Sequence, residues 1–240
     1  MQPFNDEEIY PNQPLSDVAS EIRFKGEMRV ECERHLFWEE IRKEYPDILV
    51  PYFEQGQPAA LQHYKFRNPD SGRTVAVALN SLVFSEANYS GHKSFIGEFG
   101  RLIALFRSVY PELGLISRVG WRYINVIPFS REDGLIPVNR FLRLDVSLPS
   151  MLFQRTAALD LHWSGRHFDG EVTIRLAAVV QKDVKQQEAM LLDIDFGKTG
   201  PKIEWADVQE VIEDARSKCR AIFENLITDK YRHYLRGETV

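Results

Sequence analysis

Residues Arg118–Asn125 read RVGWRYIN, and the parity of this octapeptide decides the fold. Side chains alternate across a β-strand. Arg118, Gly120, Arg122, Ile124 and Val126 therefore share one face, and Val119, Trp121, Tyr123, Asn125 and Ile127 the other. The second set is bulky and mostly apolar, so it should meet helices. The first set starts with two guanidiniums, which remain charged and are costly to bury without partners. Gly120 between them leaves room for a neighbouring group to approach.

Reading outward, VASEIRF upstream alternates as a strand, with Ile22 and Phe24 on one face and Glu21 and Arg23 on the other. If this strand lies beside the arginine strand, Glu21 would bridge Arg118 or Arg122. Between the two strands, VECERHLFWEEIRKEYPD carries Phe37, Ile41 and Tyr45 at i+4 spacing and predicts a helix stopped by Pro46. Asn68–Gly72 (NPDSG) marks a turn between two β-rich runs, a hairpin. A second amphipathic helix follows, with Phe95, Phe99, Leu102, Phe106 and Val109 as its stripe and Pro111 as its stop.

Downstream, PVNRFL reads as a short helix, and TAALDLHWSG, EVTIRLAAVV and AMLLDIDFG read as strands, the first two joined by a turn in Gly165–Gly170. The last helix spans about 205–229, where Val208, Val211, Ile212, Ala215, Cys219, Ile222, Phe223 and Leu226 keep helical spacing. Lys230, Arg232, His233 and Arg236 suit a helix C-terminus, and Tyr231, Tyr234 and Leu235 would extend that helix as an amphipathic tail. Strands come in adjacent runs and not in β-α-β alternation. The expected fold is α+β, an antiparallel sheet with helices packed on one face, built from two similar β-α-β-β-α-like halves. One domain over 1–240 is expected, with a pseudo-twofold relating about 14–112 to 113–236.

Composition narrows the function classes. The 240 residues carry a net charge of -5, which disfavours broad electrostatic binding to nucleic acid or anionic membrane. The acidic, proline-punctuated start MQPFNDEEIYPNQPL has no basic or apolar signal-peptide region, and no window approaches a membrane span. A cytoplasmic protein is expected, with residues 1–14 as an extended leader. Cys32 and Cys219 have no metal-knuckle or CxxC spacing and are expected as buried thiols. No GxSxG elbow, P-loop or GxGxxG follows a strand, and no cofactor is implied.

PLSDVASEIRF (Pro14–Phe24), EYP (Glu44–Pro46), RVGWRYIN, LLDIDF and FENLITDKY together resemble a bacterial family of conserved hypothetical proteins, sporadically distributed among genomes and of about this length. The likeness runs through nearly the whole chain, with the Arg-x-Gly-x-Arg-Tyr-x-Asn strand as its most specific piece. The resemblance implies no particular activity or cofactor. It implies an accessory role of the kind carried in phage-defence or toxin–antitoxin cassettes.

Two constellations remain as candidate sites. Arg118 and Arg122, with Arg23 and Glu21, form either an internal Glu–Arg lattice or a fork for a phosphate or carboxylate. Asp160 and His162 share one face, as do Asp193 and Asp195, with Thr173 and Arg175 on the strand between. If register allows, these groups would converge on a divalent cation or supply a general base; otherwise they are a solvated polar face. His35, His92 and His233 read as structural or exposed. The expected function is a non-enzymatic binding or interaction module, with a protein partner or a homodimer. The alternatives are a metal-dependent hydrolase or nuclease-like enzyme on the Asp/His face and, disfavoured by Trp121 and Tyr123 lying opposite the arginines, a nucleic-acid-binding sheet.

Overall fold

The first strand and the arginine strand lie side by side at the centre of one antiparallel sheet, nine-stranded among the described residues. The computed structural model describes residues 9–50, 62–144, 158–167, 169–181 and 187–238. In chain order the elements are β1 (Leu15–Phe24), α1 (Met28–Cys32), α2 (Arg34–Ile41), β2 (Asp47–Leu49), β3 (Tyr64–Arg67), β4 (Arg73–Ala78), β5 (Ser81–Glu86), α3 (His92–Val109), β6 (Ile116–Pro128), α4 (Val138–Phe141), β7 (Asp160–His167), β8 (Gly170–Val180), β9 (Glu188–Ile203), α5 (Val208–Leu226) and α6 (Asp229–Leu235). The spatial order is β2-β3-β4-β5-β1-β6-β9-β8-β7.

The fold is α+β, and its halves are similar. From the central β1–β6 pair, β5, β4 and β3 lie outward on one side, and β9, β8 and β7 on the other. α3 follows β5 as α5 follows β9. Each half is therefore β-α-β-β-β-α; the second half has the three strands read from its sequence, whereas the first has one strand more than its single predicted hairpin and adds the short edge strand β2. The extra strand of the first half comes from a tight turn at Leu79–Asn80, which splits one apolar run into β4 and β5. The predicted turn at NPDSG joins β3 to β4. Asn68 Oδ1 accepts the N–H groups of Asp70 and Ser71 at 2.9 and 3.0 Å, and Gly72 takes the positive φ of 71° that closes the turn.

The helices cover the face of β6 that carries Val119, Trp121 and Tyr123, all buried. α3 inserts Phe95, Phe99, Leu102 and Phe106 from its stripe, along with Ile96 and Ile103. Phe95 meets Trp121 at 4.8 Å and Phe84 at 4.6 Å between ring centroids. At about 1.5–3 kcal/mol per buried side chain, this one helix contributes on the order of 10 kcal/mol of gross hydrophobic stabilisation. α5 lays Ala215 and Cys219 against β6 and β9, and the Cys219 thiol donates to the Ile194 carbonyl at 3.3 Å.

Several boundaries differ from the sequence reading. The first predicted helix breaks at Glu33 into α1 and α2, where the Glu33 carbonyl accepts the Tyr110 hydroxyl at 2.9 Å. The last helix ends at Leu226 and a separate α6 begins, because Thr228 leaves helical geometry to cap Tyr231 N at 3.1 Å. Tyr231 and Leu235 are buried within the chain's own core. Asn12 N donates to the Leu235 carbonyl at 3.1 Å, so residues 9–14 dock on α6. Residues 1–8 of the expected leader lie outside the described residues. Cys219 is buried as expected, but Cys32, at the end of α1, is exposed, and both thiols are free.

Candidate functional site

The open face of the sheet holds the residues singled out by parity. β1 and β6 pair with Glu21 opposite Gly120 and Arg23 opposite Arg118. Arg118 Nη1 donates to Glu21 Oε2 at 2.7 Å, and Arg118 Nη2 pairs with Asp195 on β9. Glu21 also receives Arg23 at 2.9 Å. The Arg118 side chain is only 16% exposed. Its guanidinium lies flat over two glycines that face each other across the ladder, Gly120 and Gly197. A Cβ on either would sit 2.7 Å from Arg118 Cζ. The group that uses the space at Gly120 is therefore Arg118 of the same strand. Arg122 makes a fork with Asp193, Nε to Oδ1 at 2.7 Å and Nη2 to Oδ2 at 2.5 Å. Arg175 on β8 makes the same fork with Asp160 on β7, at 3.1 and 2.7 Å.

Asp160, His162, Asp193 and Asp195 share this face but do not meet at a point. Asp193 is opposite Arg175, which is opposite His162, so a strand separates imidazole from carboxylate by roughly 10 Å of sheet. Each of the three aspartates is already engaged by an arginine, and His162 Nε2 lies 3.2 Å from Ser164 Oγ. Among the described residues, no cluster of three or more His, Cys, Asp or Glu side chains is arranged to hold a metal ion. Burial pushes the Asp195 carboxyl above its ordinary pKa, and the charge and hydrogen bond of Arg118 offset this only in part. The hydrogen bonds that Arg122 donates to Asp193 raise the Arg122 pKa above its usual value.

A second site, on the helix-covered side, was not singled out from the sequence. A pocket of about 40 Å³ opens between the start of α3, the middle of β6 and α5. Tyr89 and His92 line it from the α3 side, Tyr123 and Asn125 rise from β6, and Arg216 and Arg220 project from α5. Arg216 is 8% exposed. No carboxylate is among the residues lining the pocket. Burial pushes the Tyr89 phenol up to about 12 and raises Tyr123 well above its usual value, so both remain protonated donors at neutral pH. Asn125 is held by donation to the Leu192 carbonyl at 3.1 Å.

Behind the pocket Glu224, 2% exposed, accepts the Tyr10 hydroxyl at 2.9 Å and pairs with Arg220 at 2.8 Å and Arg232 at 3.1 Å. One carboxylate thus faces two guanidiniums, with Arg216 one helical turn before Arg220. The signal was present in α5: Arg216 falls between Ile212 and Cys219 in the apolar stripe, and Arg220 follows it at i+4. Tyr123 and Asn125 belong to the arginine strand itself, on the face assigned wholly to packing.

Comparison of the chain with protein-family models and with curated proteins gives no match, so function is argued from geometry. Among the described residues, no helix is long and apolar enough to cross a membrane.

Proposed function

We propose that this chain is a non-enzymatic binding module and that its recognition chemistry is the basic pocket between α3 and α5, suited to a phosphate- or carboxylate-bearing ligand. The single observation behind this reading is the polar part of the lining: the guanidiniums of Arg216 and Arg220, the His92 imidazole and the phenols of Tyr10, Tyr89 and Tyr123, set among apolar groups of Ile9, Pro14, Leu15 and Phe223, with no carboxylate in the lining. Convergent donors in a concave site are the usual form of a small-anion receptor. On the open face the carboxylates of Glu21, Asp193, Asp195 and Asp160 stand among the guanidiniums of Arg118, Arg122 and Arg175, whereas Glu224, which pairs with Arg220, lies outside the pocket lining.

The open-face pairings weaken the alternatives. A hydrolytic metal site needs carboxylates free to coordinate, and a nucleic-acid-binding sheet needs exposed aromatic platforms beside its cations. Trp121 is fully buried and Tyr123 nearly so. The family resemblance supports a cytoplasmic accessory protein working beside a defence or toxin–antitoxin cassette.

Thermal unfolding and calorimetry with inorganic phosphate test the reading. For a dissociation constant of about 1 mM, about 10 mM phosphate adds about 1.4 kcal/mol of stability, a rise in Tm of about 3–5 °C for a chain of this size. Arg216→Gln and Arg220→Gln should abolish the rise, and Arg122→Gln should keep it. No rise in the wild type, or a rise that survives Arg216→Gln, would refute the pocket as an anion site.

A further inference from the structure

Among the described residues β7 is the outermost strand of the second half, and its eight residues are the longer of the two sheet edges; the opposite edge, β2, has three. From His162 to His167 every residue is exposed, and Trp163, a large aromatic, is 42% exposed. Free edges are normally blunted by proline, lysine or a bulge. β7 contains neither residue, and its register with β8 runs from Asp160 to His167 without a shift.

The ladder fixes which backbone groups are free. Leu159 accepts the Ala178 N–H at 2.8 Å, in the register that pairs Asp160 with Ala177. Inward and outward residues alternate in an antiparallel pair. Leu161, Trp163, Gly165 and His167 therefore turn their backbone groups to β8, and Asp160, His162, Ser164 and Arg166 turn theirs to the open edge. A second strand can hydrogen-bond only to this outward set.

The outward set is self-complementary about Trp163. In an antiparallel copy with Trp163 opposite Trp163, His162 meets Ser164 and Asp160 meets Arg166, at both ends by symmetry. Outward groups face outward groups in this register, and on the open side Arg166 of one copy comes opposite Asp160 of the other, whose carboxylate it would share with Arg175. A slip of two residues in either direction removes the Asp160–Arg166 match, and a slip of one sets outward groups against inward ones.

We infer that β7 pairs with β7 of a second copy of this chain across a twofold axis at Trp163, joining two sheets into one with both sets of helices on the same side. The junction forms roughly eight backbone hydrogen bonds, two in each hydrogen-bonded pair, two cross-strand Asp–Arg pairs and one Trp–Trp contact. A seven-residue ladder is small beside the ~1,600 Å² of a standard stable interface, so the dimer forms in the micromolar range. The junction is three strands away from β6 and does not depend on the pocket.

Sedimentation velocity of the full chain across the micromolar range should show a reversible monomer–dimer equilibrium. Ser164→Pro removes one outward N–H while sparing the β8 ladder, and should leave a monomer with unchanged circular dichroism. Arg166→Asp should weaken the dimer about tenfold or more by setting like charges opposite each other, and Asp160→Arg with Arg166→Asp should restore it. Trp163 sits at a non-hydrogen-bonded pair with Cα atoms ~4.5 Å apart, within disulfide reach. Trp163→Cys in a Cys32→Ser background should therefore cross-link under mild oxidation. A chain monomeric at every concentration, or a dimer that ignores both Ser164→Pro and the charge swap and gives no Trp163→Cys cross-link, would overturn the inference.

Discussion

Gly120→Ala sets two opposing effects against each other. Alanine in a strand is favoured over glycine by about 0.5–1 kcal/mol, because glycine loses more backbone freedom on folding. Against this, the new methyl would lie 2.7 Å from Arg118 Cζ, far inside contact distance. The guanidinium must lift off its bed, although Glu21 and Asp195 hold it from both sides. Arg118 and Glu21 have side chains only 16% and 17% exposed, so the lost charge-assisted hydrogen bonds are worth about 1.5–3 kcal/mol. The net result is destabilisation of about 1–2 kcal/mol. In an Arg118→Ala background the three atoms nearest to the new methyl are gone, and Gly120→Ala should stabilise by about 0.5 kcal/mol. Urea unfolding of the four proteins, followed by circular dichroism and tryptophan fluorescence, gives a coupling of about 2 kcal/mol. If Gly120→Ala has the same effect with and without Arg118, the guanidinium does not lie over that glycine.

Three further outcomes are expected. Arg122→Ala should cost less than Arg118→Ala, about 0.5 against about 2 kcal/mol in urea unfolding, because the Arg122 side chain is 47% exposed and solvent screens its fork. Glu224→Ala should cost about 3 kcal/mol or more by the same measurement, since it strands Arg220 and Arg232 beside a buried site. Asp195 has a folded pKa above its unfolded one, so its stabilising contribution is full below the unfolded value near ~3.9 and is lost as pH rises through the folded value. Asp195→Asn has no such titration, and its denaturation midpoint relative to the wild type should climb as pH rises above the unfolded carboxylate value; a flat difference would contradict the burial of that carboxyl.

Much of the architecture was legible because parity and helical period are local properties. The two faces of RVGWRYIN, the Phe95–Phe106 stripe and the NPDSG turn each name their own structure, and a Glu21–Arg118 bridge follows once β1 and β6 are neighbours. The losses are equally physical. The Leu79–Asn80 turn lies inside one apolar run, with no glycine or proline to mark it. The break at Glu33 depends on a hydroxyl from Tyr110, 77 residues away, and that at Thr228 on a cap within a helical pattern. The carboxylates Asp193 and Asp195 could be put on a face but not assigned partners, because partner choice depends on register between β6 and β9. The basic pocket was hidden for a related reason. Tyr123 and Asn125 serve both as sheet-face packing and as pocket floor, and only the docking of α5 brings Arg216 and Arg220 above them.

The most direct measurement is an NMR titration of arginine Nε–Hε resonances with inorganic phosphate. Arg216 and Arg220 should shift in a saturable manner, while Arg118 and Arg122, held by Glu21, Asp195 and Asp193, stay in place. Shifts at Arg118 or Arg122, with the pocket arginines unmoved, would contradict the assignment of anion binding to the pocket.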